Sequence, residues 1–362
     1  MYMKRIALFI SSLQKGGSER VIVNLAEYFY QKKYEVILVT QYKKEVEYDI
    51  LPEIKRVYSE PEAYLLQGGR IRNFLVRYQT LRRIWKTYKP DVILSFLGKN
   101  NFMAILTALG LPSKVAVSVR GEPTMEYVGK VMQLLAKGLF TLANGVIMQT
   151  EQACEFLPKH IRKKTVVLPN PLNPLFINAR YEGEKEDVIV AAGRLDENKN
   201  HAMLIHAFAR IADEFPQMKL IIYGEGESRP QLEALIAEKQ LEHRVALPGS
   251  ISDISEKVAK ARIFTLTSNT EGMPNSVMEA MALGIPVVST DCPCGGPAML
   301  IEHEVNGMLV PVEDTYALAD AFRKILNSPE LEQKLGENAY QITKKLHPDK
   351  VNYEWEQYLT NL

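Results

Sequence analysis

Four charged side chains in the second half of the sequence have the types and spacing of groups that bind a diphosphate and a sugar. Arg194 and Lys199 lie on a polar segment between an apolar run and a helical pattern. Two cations beside a helix N-terminus can clamp a diphosphate, because the exposed N–H groups there also favour an anion. Glu271 and Glu279 flank the start of a second such helix, where Glu279 can accept hydrogen bonds from ribose hydroxyls and Glu271 can face a sugar. Solvated surface charges and a helix-capping glutamate are the alternatives.

A glycine pair near the start of the chain offers a second place for a phosphate. Gly16 and Gly17 follow an apolar run and precede a helix for which Ser18 is the predicted N-cap. Glycines let the backbone approach a phosphate closely. The segment is neither a G-x-G-x-x-G nor a Walker A sequence, which disfavours NAD or ATP chemistry. Taken alone, it fits either a phosphate loop or a plain turn between a strand and a helix.

The sequence predicts no metal site. Cys292 and Cys294 flank a single proline, and His303 follows further along, but zinc sites normally use four ligands with wider cysteine spacing. No Asp-x-Asp sequence is present to hold a divalent ion against a nucleotide diphosphate. We therefore expect protein cations to supply the charge that a diphosphate needs.

The elements that must position these residues are strands and helices in alternation. The apolar runs are apolar on successive residues, which indicates strands buried on both faces, as in a parallel sheet covered by helices. The pattern predicts an α/β fold in each half, with a hinge between Leu168 and Pro174, where three prolines forbid a helix. A last amphipathic helix from Pro348 must bury its apolar face elsewhere. The predicted strands are Ile6–Ile10, Val36–Val39, Val92–Phe96, Val115–Val119, Val146–Met148, Val188–Ala192, Leu220–Tyr223, Val245–Leu247, Ile263–Leu266 and Val287–Ser289.

Composition indicates an ordinary folded protein with a basic first half. Hydrophobic residues make up 46% and charged residues 24% of the chain, which excludes disordered and fibrous classes. Three cysteines argue against a disulfide framework and for a reducing compartment. Residues 1–168 carry 26 Lys and Arg against 14 Asp and Glu, which favours an anionic partner. The start of the sequence reads as a first strand rather than a signal peptide, and no segment reaches the length of a membrane span. We expect a cytoplasmic protein, soluble or peripheral on a membrane.

Residues 70–89 form a separate basic and apolar feature. Apolar residues recur there at helical spacing beside seven cations, and no acid occurs from Ala63 through Pro90. One interpretation is an interfacial helix on an anionic membrane, and the other is a core helix with a solvated basic face. The basic first half favours membrane contact, and charge reversal at Arg82, Arg83 and Lys86 is expected to weaken that contact without unfolding the protein. The seven cations are Arg70, Arg72, Arg77, Arg82, Arg83, Lys86 and Lys89.

Together these motifs resemble glycosyltransferase family 4 over nearly the full length of the chain. The resemblance implies an α/β GT-B fold, with two Rossmann-like domains whose parallel sheets face a central cleft. It implies an acceptor-binding domain over residues 1–168, a donor-binding domain over residues 169–345, and a C-terminal helix over residues 346–362 that packs back on the first domain. The segments that carry the resemblance are Gly16–Arg20, Gly193–Lys199, Tyr223–Gly226, the E-x7-E spacing from Glu271 to Glu279 and, for the bacterial polysaccharide branch, Cys292–Pro297 and Asn306–Gly307.

The resemblance also implies roles for individual residues. Arg194 and Lys199 would hold the donor diphosphate, and Glu279 the ribose. Glu271 would bind the donor hexose together with the adjacent backbone. Arg120 stands where many members have a histidine near the transferred sugar; it cannot act as a base, so only a charge-placing role carries over, and Glu122 is expected near an acceptor hydroxyl. The implied catalytic set is Arg194, Lys199, Glu271 and Arg120, and the implied donor-binding set is Gly16, Gly17, Arg194, Lys199, Gly224, Glu271, Gly272, Met273, Asn275, Ser276 and Glu279.

The implied activity is a retaining, metal-independent transfer that uses no cofactor. A hexose or N-acetylhexosamine would pass from a nucleotide-diphosphate sugar, a UDP-sugar by the branch resembled, to a lipid-linked glycan. The pathway would be bacterial capsule or other surface polysaccharide synthesis, at the cytoplasmic face of the membrane. The expected partners are the donor, the acceptor and, through residues 70–89, an anionic membrane, but no nucleic acid. A nucleotide-sugar 2-epimerase of the same fold and a non-enzymatic sugar-nucleotide-binding protein are the alternatives.

Overall fold

The chain forms two compact α/β units. The structure is a computed structural model, and it describes residues 4–251 and 254–362. Unit 1 combines the residues up to Pro171 with those from Asp349 onward, and unit 2 runs from Leu172 to Pro348. The first change of unit lies in the proline-rich segment. Among the described residues, no helix is long and apolar enough to cross a membrane.

Unit 1 is built on a parallel sheet. Its described strands are β1 (Arg5–Ile10), β2 (Glu35–Thr40), β3 (Lys55–Tyr58), β4 (Val92–Phe96), β5 (Lys114–Ser118), β6 (Gly145–Met148) and β7 (Thr165–Val167). They pair in the order β3-β2-β1-β4-β5-β6-β7. The inner strands are buried on both faces because helices cover the sheet on both sides. The predicted α/β class is confirmed for this half of the chain.

The helices of unit 1 follow its strands. They are α1 (Gly17–Gln31), α2 (Arg70–Tyr88), α3 (Gly98–Ala108), α4 (Pro123–Glu126), α5 (Lys130–Phe140), α6 (Glu151–Cys154) and α7 (Lys159–Arg162), with a 3-10 turn at Ala63–Leu66. Ser18 is not the N-cap of α1, contrary to the sequence prediction. The N–H of Arg20 donates to the carbonyl of Gly16 at 3.1 Å, so Gly16 is the cap and Ser18 lies inside the first turn.

Unit 2 repeats the architecture with a second parallel sheet. Its described strands are β8 (Glu186–Ala192), β9 (Lys219–Tyr223), β10 (Val245–Gly249), β11 (Ala261–Leu266), β12 (Val287–Thr290) and β13 (Met308–Val310), paired in the order β10-β9-β8-β11-β12-β13. A 3-10 turn at Pro174–Phe176 precedes β8. Its described helices are α8 (His201–Ala209), α9 (Arg229–Glu238), α10 (Ile254–Ala259), α11 (Asn275–Ala282), α12 (Gly296–Leu300), α13 (Thr315–Leu326), α14 (Pro329–Tyr340) and α15 (Ile342–Lys345).

The last helix, α16 (Pro348–Thr360), packs on unit 1. Trp355 is fully buried, its ring lies 5.8 Å from the ring of Phe96, and its indole N–H donates to the carbonyl of Pro169 at 3.0 Å. The hydroxyls of Tyr28 and Tyr34 both donate to the carboxylate of Glu356. The predicted return of the C-terminal helix to the first domain is therefore confirmed.

Candidate functional site

The candidate donor site of unit 2 lies where the order of its strands reverses. Strand β8 pairs with β9 on one side and with β11 on the other. In an open α/β sheet, ligands bind beyond the carboxyl ends of the strands at such a switch point. The loop after β8 carries Arg194 and Lys199, and the loop after β11 carries Glu271. The topology therefore brings three of the predicted site residues to one edge of one sheet.

Two asparagines tie these loops together. The side chain of Asn198 accepts from the N–H of Thr270 at 3.2 Å and donates to the carbonyl of Thr270 at 3.0 Å. Asn200 has a left-handed backbone, with φ of 46°, and its side chain accepts from the N–H of Met203 at the start of α8 while donating to Asn269. Sequence reasoning missed both residues. Only Asn200 carries a signal in the sequence, because an asparagine just before a helix is a typical cap.

The tied loops bring Lys199 and Glu271 into contact. The ammonium of Lys199 donates to the Oε1 atom of Glu271, and the hydroxyl of Ser268 donates to the same atom at 2.7 Å. The two charged side chains are only 16% and 14% exposed. A charge pair that is this well shielded depends on both members, because either one alone would be costly to bury. The predicted phosphate ligand and the predicted sugar ligand are thus direct neighbours.

Arg194 and His201 differ sharply in their exposure on the same loop. The Arg194 side chain is 78% exposed and bonds to Asp196 at 2.9 Å, so its guanidinium can turn toward a ligand. His201, the first residue of α8, is almost fully buried. Burial, with the charge of Lys199 as a smaller cause, lowers the pKa of His201 to about 4. The imidazole is therefore neutral near pH 7, and the positive charge of the loop comes from Arg194 and Lys199.

Gly224 lets the loop after β9 pack against the loop after β8. Its φ is 144°, and a Cβ there would lie 1.8 Å from the carbonyl oxygen of Gly193. The N–H of Leu195 donates to the carbonyl of Glu225 at 3.0 Å and fixes this close approach. This packing alone requires a glycine at position 224, whether or not a ligand binds nearby. The donor-binding role assigned to Gly224 stays a prediction.

The backbone of Glu271 rests on the loop that contains the two close cysteines. Its N–H donates to the carbonyl of Pro293 at 2.7 Å, and its carbonyl accepts from the N–H of Cys294 at 3.2 Å. A Cβ on Gly296 would lie 1.4 Å from the carbonyl oxygen of Gly272, so only glycine allows this contact. The cysteine loop is thus a support for Glu271. Among the described residues, no group of three or more His, Cys, Asp or Glu side chains could hold a metal ion.

The remaining predicted donor residues lie at the start of α11. Gly272 and Met273 are buried in the turn, and α11 begins at Asn275. Ser276 and Glu279 are partly buried on the same helix. The structure thus places the residues assigned to the hexose and the ribose on one loop and the helix that follows it.

In unit 1, Arg120 is buried rather than open to solvent. Its guanidinium lies 4.6 Å from the ring of Phe96 and 5.7 Å from the ring of Trp355, and it donates to the side-chain oxygen of Asn170. Burial lowers the pKa of Arg120 to about 9, although the charge of Glu126 acts to raise it. Arg120 is therefore still a cation at neutral pH, and it links the end of β5 to the C-terminal helix.

Glutamates fix the loops after β4 and β5. The carboxylate of Glu126 accepts from the N–H of Gly98 at 2.6 Å and from the N–H of Arg120 at 3.0 Å, so it ties the two loops together. Glu122, predicted near an acceptor hydroxyl, caps α4 by accepting from the N–H of Met125 at 2.8 Å. Sequence reasoning missed Glu126, because nothing in its neighbours indicates a bond to a loop from another strand.

The loop that leads to Gly16 and Gly17 is held by a shielded ion pair. The carboxylate of Glu47 accepts from the N–H of Leu13 at 3.1 Å and bonds to the guanidinium of Arg56 at 2.6 Å. Burial acts to raise the pKa of Glu47, but the hydrogen bonds from Arg56 and from the backbone outweigh it and hold the pKa at about 2. The pair therefore positions the turn between β1 and α1.

We expect Glu47→Gln to destabilise unit 1 in a way that depends on pH. The folded pKa of Glu47 lies below its ordinary value of 4.5, so its contribution is present above about pH 4.5 and is lost as the pH falls toward 2. By linkage it amounts to at most about 3 kcal/mol. Urea unfolding at pH 7 should show a loss of this order in the variant, and the difference from wild type should shrink by pH 3. A difference that stays constant across this range would contradict the assignment.

Helix α2 is half core and half surface. Leu81, Ile84 and Trp85 are buried, whereas the apolar residues of its first turns are exposed. The expectation that Arg82 lies on a solvated face is wrong, because its guanidinium donates to the carbonyls of Thr107 and Leu109 at the end of α3. Reversing its charge would remove that helix cap. Variants that test membrane contact should therefore replace cations in the first turns of α2.

Solved structures show which fold class the two units define. HepE from Anabaena, solved in complex with UDP-glucose, matches with a TM-score of 0.83 and 19% identity over 99% of this chain and 100% of that one. Sucrose-phosphate synthase from Thermosynechococcus elongatus matches with a TM-score of 0.83 and 19% identity over 98% of both chains. Together with the switch-point topology, these matches define the fold of the two parallel-sheet units as GT-B.

Family profiles identify the class of protein that has this fold. Residues 15–174 match the profile described as Glycosyltransferase Family 4, and residues 176–342 match the one described as Glycosyl transferases group 1. The chain therefore belongs to glycosyltransferase family 4, as the sequence motifs predict.

Two relatives from Campylobacter jejuni span almost the whole chain. GalNAc-alpha-(1->4)-GalNAc-alpha-(1->3)-diNAcBac-PP-undecaprenol alpha-1,4-N-acetyl-D-galactosaminyltransferase is 26% identical over 98% of this chain and 97% of its own length. N-acetylgalactosamine-N,N'-diacetylbacillosaminyl-diphospho-undecaprenol 4-alpha-N-acetylgalactosaminyltransferase is 27% identical over 99% of this chain and 100% of its own length.

Proposed function

We propose that this protein is a retaining glycosyltransferase that moves a hexose or N-acetylhexosamine from a UDP-sugar to a lipid-linked glycan in bacterial surface polysaccharide synthesis. The observation that carries the proposal is the Lys199–Glu271 pair at the switch point of unit 2. It presents a cation for the leaving diphosphate beside a carboxylate for the sugar hydroxyls. The names of the Campylobacter relatives support the acceptor class, and the UDP-glucose bound to HepE supports the donor class.

The proposed chemistry depends on charge at the leaving group. As the bond between the sugar and the phosphate breaks, negative charge builds on the diphosphate, and preorganised cations stabilise that charge. Lys199 and Arg194 supply the cations, and the N-terminus of α8 adds its partial positive charge. Lys199 exchanges its bond to Glu271 for one to phosphate, which leaves Glu271 to accept from the sugar. The acceptor oxygen bonds to the anomeric carbon on the face from which the diphosphate departs, and a phosphate oxygen takes the acceptor proton. Attack on that face gives retention.

The direct test is an assay of purified protein with UDP-sugars and an undecaprenyl-diphosphate-linked glycan in the presence of excess EDTA. We expect a glycosylated lipid with an axial α-linkage from an α-linked donor, and no loss of turnover with EDTA. Activity that is lost with EDTA and restored only by Mg²⁺ or Mn²⁺ would contradict metal independence. A product that is an epimerised UDP-sugar, without transfer, would favour the epimerase instead.

We expect Glu279→Ala and Glu271→Ala to separate nucleotide binding from sugar binding. Glu279→Ala should weaken the binding of both UDP and the UDP-sugar, because Glu279 is assigned to the ribose that both contain. Glu271→Ala should mostly spare UDP, because it removes a sugar ligand and leaves the Lys199 ammonium available to the phosphates. Titration calorimetry with UDP and with the UDP-sugar checks both variants, and Glu271→Gln provides the control of unchanged size. The reverse pattern would show that the two glutamates have exchanged roles.

Residues 70–89 are proposed to contact an anionic membrane through the first turns of α2. Ile71, Phe74 and Leu75 are exposed there, beside the exposed cations Arg70 and Arg72. Each cation near an anionic bilayer contributes about 1 kcal/mol, and salt screens the attraction. Replacing Arg70 and Arg72 with Glu should weaken sedimentation with anionic vesicles at low salt, and wild-type binding by that variant would contradict the role of α2.

A further inference from the structure

Helix α5 carries apolar side chains on its outer face as well as on its inner one. Val131, Leu134 and Leu135 recur at the spacing of one helix face, and they are 72%, 69% and 48% exposed. The opposite face, with Ala136 and Phe140, is buried. Surface helices normally turn their apolar stripe inward. A contiguous apolar face that points outward marks a surface that binds something.

The exposed face is not needed to hold α5 in place. Just before the helix, Tyr127 is fully buried and its ring lies 5.3 Å from that of Phe102, 5.7 Å from that of Phe140 and 6.2 Å from that of Phe156. This aromatic cluster anchors the inner side of the segment. Two exposed apolar residues, Val128 before α5 and Met125 on α4, extend the outer side.

The charges around this face select its partner. Lys130 is exposed at the start of α5, the ammonium of Lys137 lies 4.6 Å from the ring of Phe156, and no acid occurs from residue 127 through residue 150. An apolar helix face that begins at an exposed lysine suits the headgroup boundary of an anionic membrane. A second copy of the chain fits less well, because a two-fold interface would bring the same lysines of both copies together.

The same segment is tied to the loops of the proposed acceptor side. Helix α4 ends at Glu126, whose carboxylate accepts from the N–H groups of Gly98 and Arg120 in the loops after β4 and β5. We infer that the segment from Met125 to Leu135 inserts its apolar face into an anionic lipid surface and holds these two loops beside it. The insertion of the segment does not depend on the proposed function, whereas the link to the acceptor rests on the proposed function.

A tryptophan at the exposed face would report insertion directly. Both native tryptophans, Trp85 and Trp355, are buried, so their emission provides a nearly constant background. In Leu134→Trp, the added emission should shift to the blue with vesicles of equal parts phosphatidylglycerol and phosphatidylcholine, and brominated acyl chains should quench it. With phosphatidylcholine alone the shift should be much smaller. The absence of a shift with both kinds of vesicle would overturn the inference.

A matched pair of variants tests whether insertion needs the apolar face. Val131→Asp combined with Leu134→Asp should lower the affinity for the anionic vesicles at least about tenfold, with an unchanged unfolding midpoint. Leu175→Asp adds a charge at an equally exposed leucine of unit 2 and should bind vesicles as wild type does. Wild-type vesicle binding by the double variant would overturn the inference. The inference would also be overturned if sedimentation velocity showed a dimer of the wild type that is absent in the double variant.

The link to the acceptor has its own measurement. Transfer to a glycan lipid embedded in vesicles should fall in the double variant by a factor similar to that of binding, whereas transfer to a water-soluble analogue should stay unchanged. An equal loss on both acceptors would contradict the link. If no acceptor is glycosylated even by the wild type, the proposed function fails, while the fluorescence and binding results still decide the insertion.

Discussion

Replacing Lys199 with Ala should lower kcat/KM at least about tenfold with any UDP-sugar that the protein uses. The ammonium supplies a charge-assisted contact of roughly 1.5–3 kcal/mol, and the loss grows if the contact tightens as charge builds on the leaving group. Steady-state kinetics measure the ratio directly. Lys260→Ala, which removes a partly exposed, ion-paired lysine of the same unit, should leave kcat/KM unchanged.

The substitution of Lys199 also leaves Glu271 without its partner, so stability must be separated from catalysis. Combining Lys199→Met with Glu271→Gln removes both charges and should restore stability without restoring activity, because breaking one side of a shielded pair costs more than removing both. Arg194→Ala gives an independent check. Its side chain is 78% exposed, so the unfolding midpoint should not change while kcat/KM falls at least about tenfold. Wild-type kinetics in both alanine variants would exclude the diphosphate role.

Of the predicted strands only β10 ends a sheet, whereas the missed strands all lie at the edges of the sheets. Continuous apolar runs such as Val92–Phe96 exist because both faces of an inner strand are covered, and this leaves a clear signal in the sequence. Strands β3, β7 and β13 each end a sheet. With one neighbour and less burial, a short segment such as Lys55–Tyr58 can include exposed charged and aromatic residues. Its pattern is then not distinguishable from that of a loop.

The candidate donor site was predictable in its charged residues but not in the groups that align them. Cations and glutamates after apolar runs are visible in sequence, since strand order brings such loops together. The bonds of Asn198 to Thr270 depend on β8 and β11 being neighbours. No spacing along the chain reveals that two loops more than 60 residues apart are tied. The same holds for Glu126, which bonds to two loops at once.

Helical periodicity shows that a face is apolar without showing what covers it. In α2 the same stripe runs from the exposed Phe74 to the buried Trp85, because the rest of unit 1 covers only the second half of the helix. In α5 the exposed Leu134 has the same residue type and spacing as a core position. Burial is a property of the packed unit, so these surfaces became visible only in the structure.

The largest effect on stability is expected for Trp355→Ala, with a loss of about 3–5 kcal/mol in the free energy of unfolding of unit 1. The indole is fully buried, contacts Phe96 and Arg120, and donates to the carbonyl of Pro169. Its removal opens a cavity between α16 and the sheet and leaves a partly buried carbonyl without its donor. It also removes one of the two aromatic rings beside the Arg120 guanidinium.

Fluorescence allows this loss to be assigned to one unit. Both tryptophans of the chain lie in unit 1, so the buried Trp85 still reports its unfolding in the variant. Tyr353→Ala, on the same helix and 53% exposed, is the matched control and should shift the urea midpoint little. If the two variants unfold at the same midpoint, α16 contributes little to unit 1, and Arg120 is held in place by Phe96 and Asn170 without the C-terminal helix.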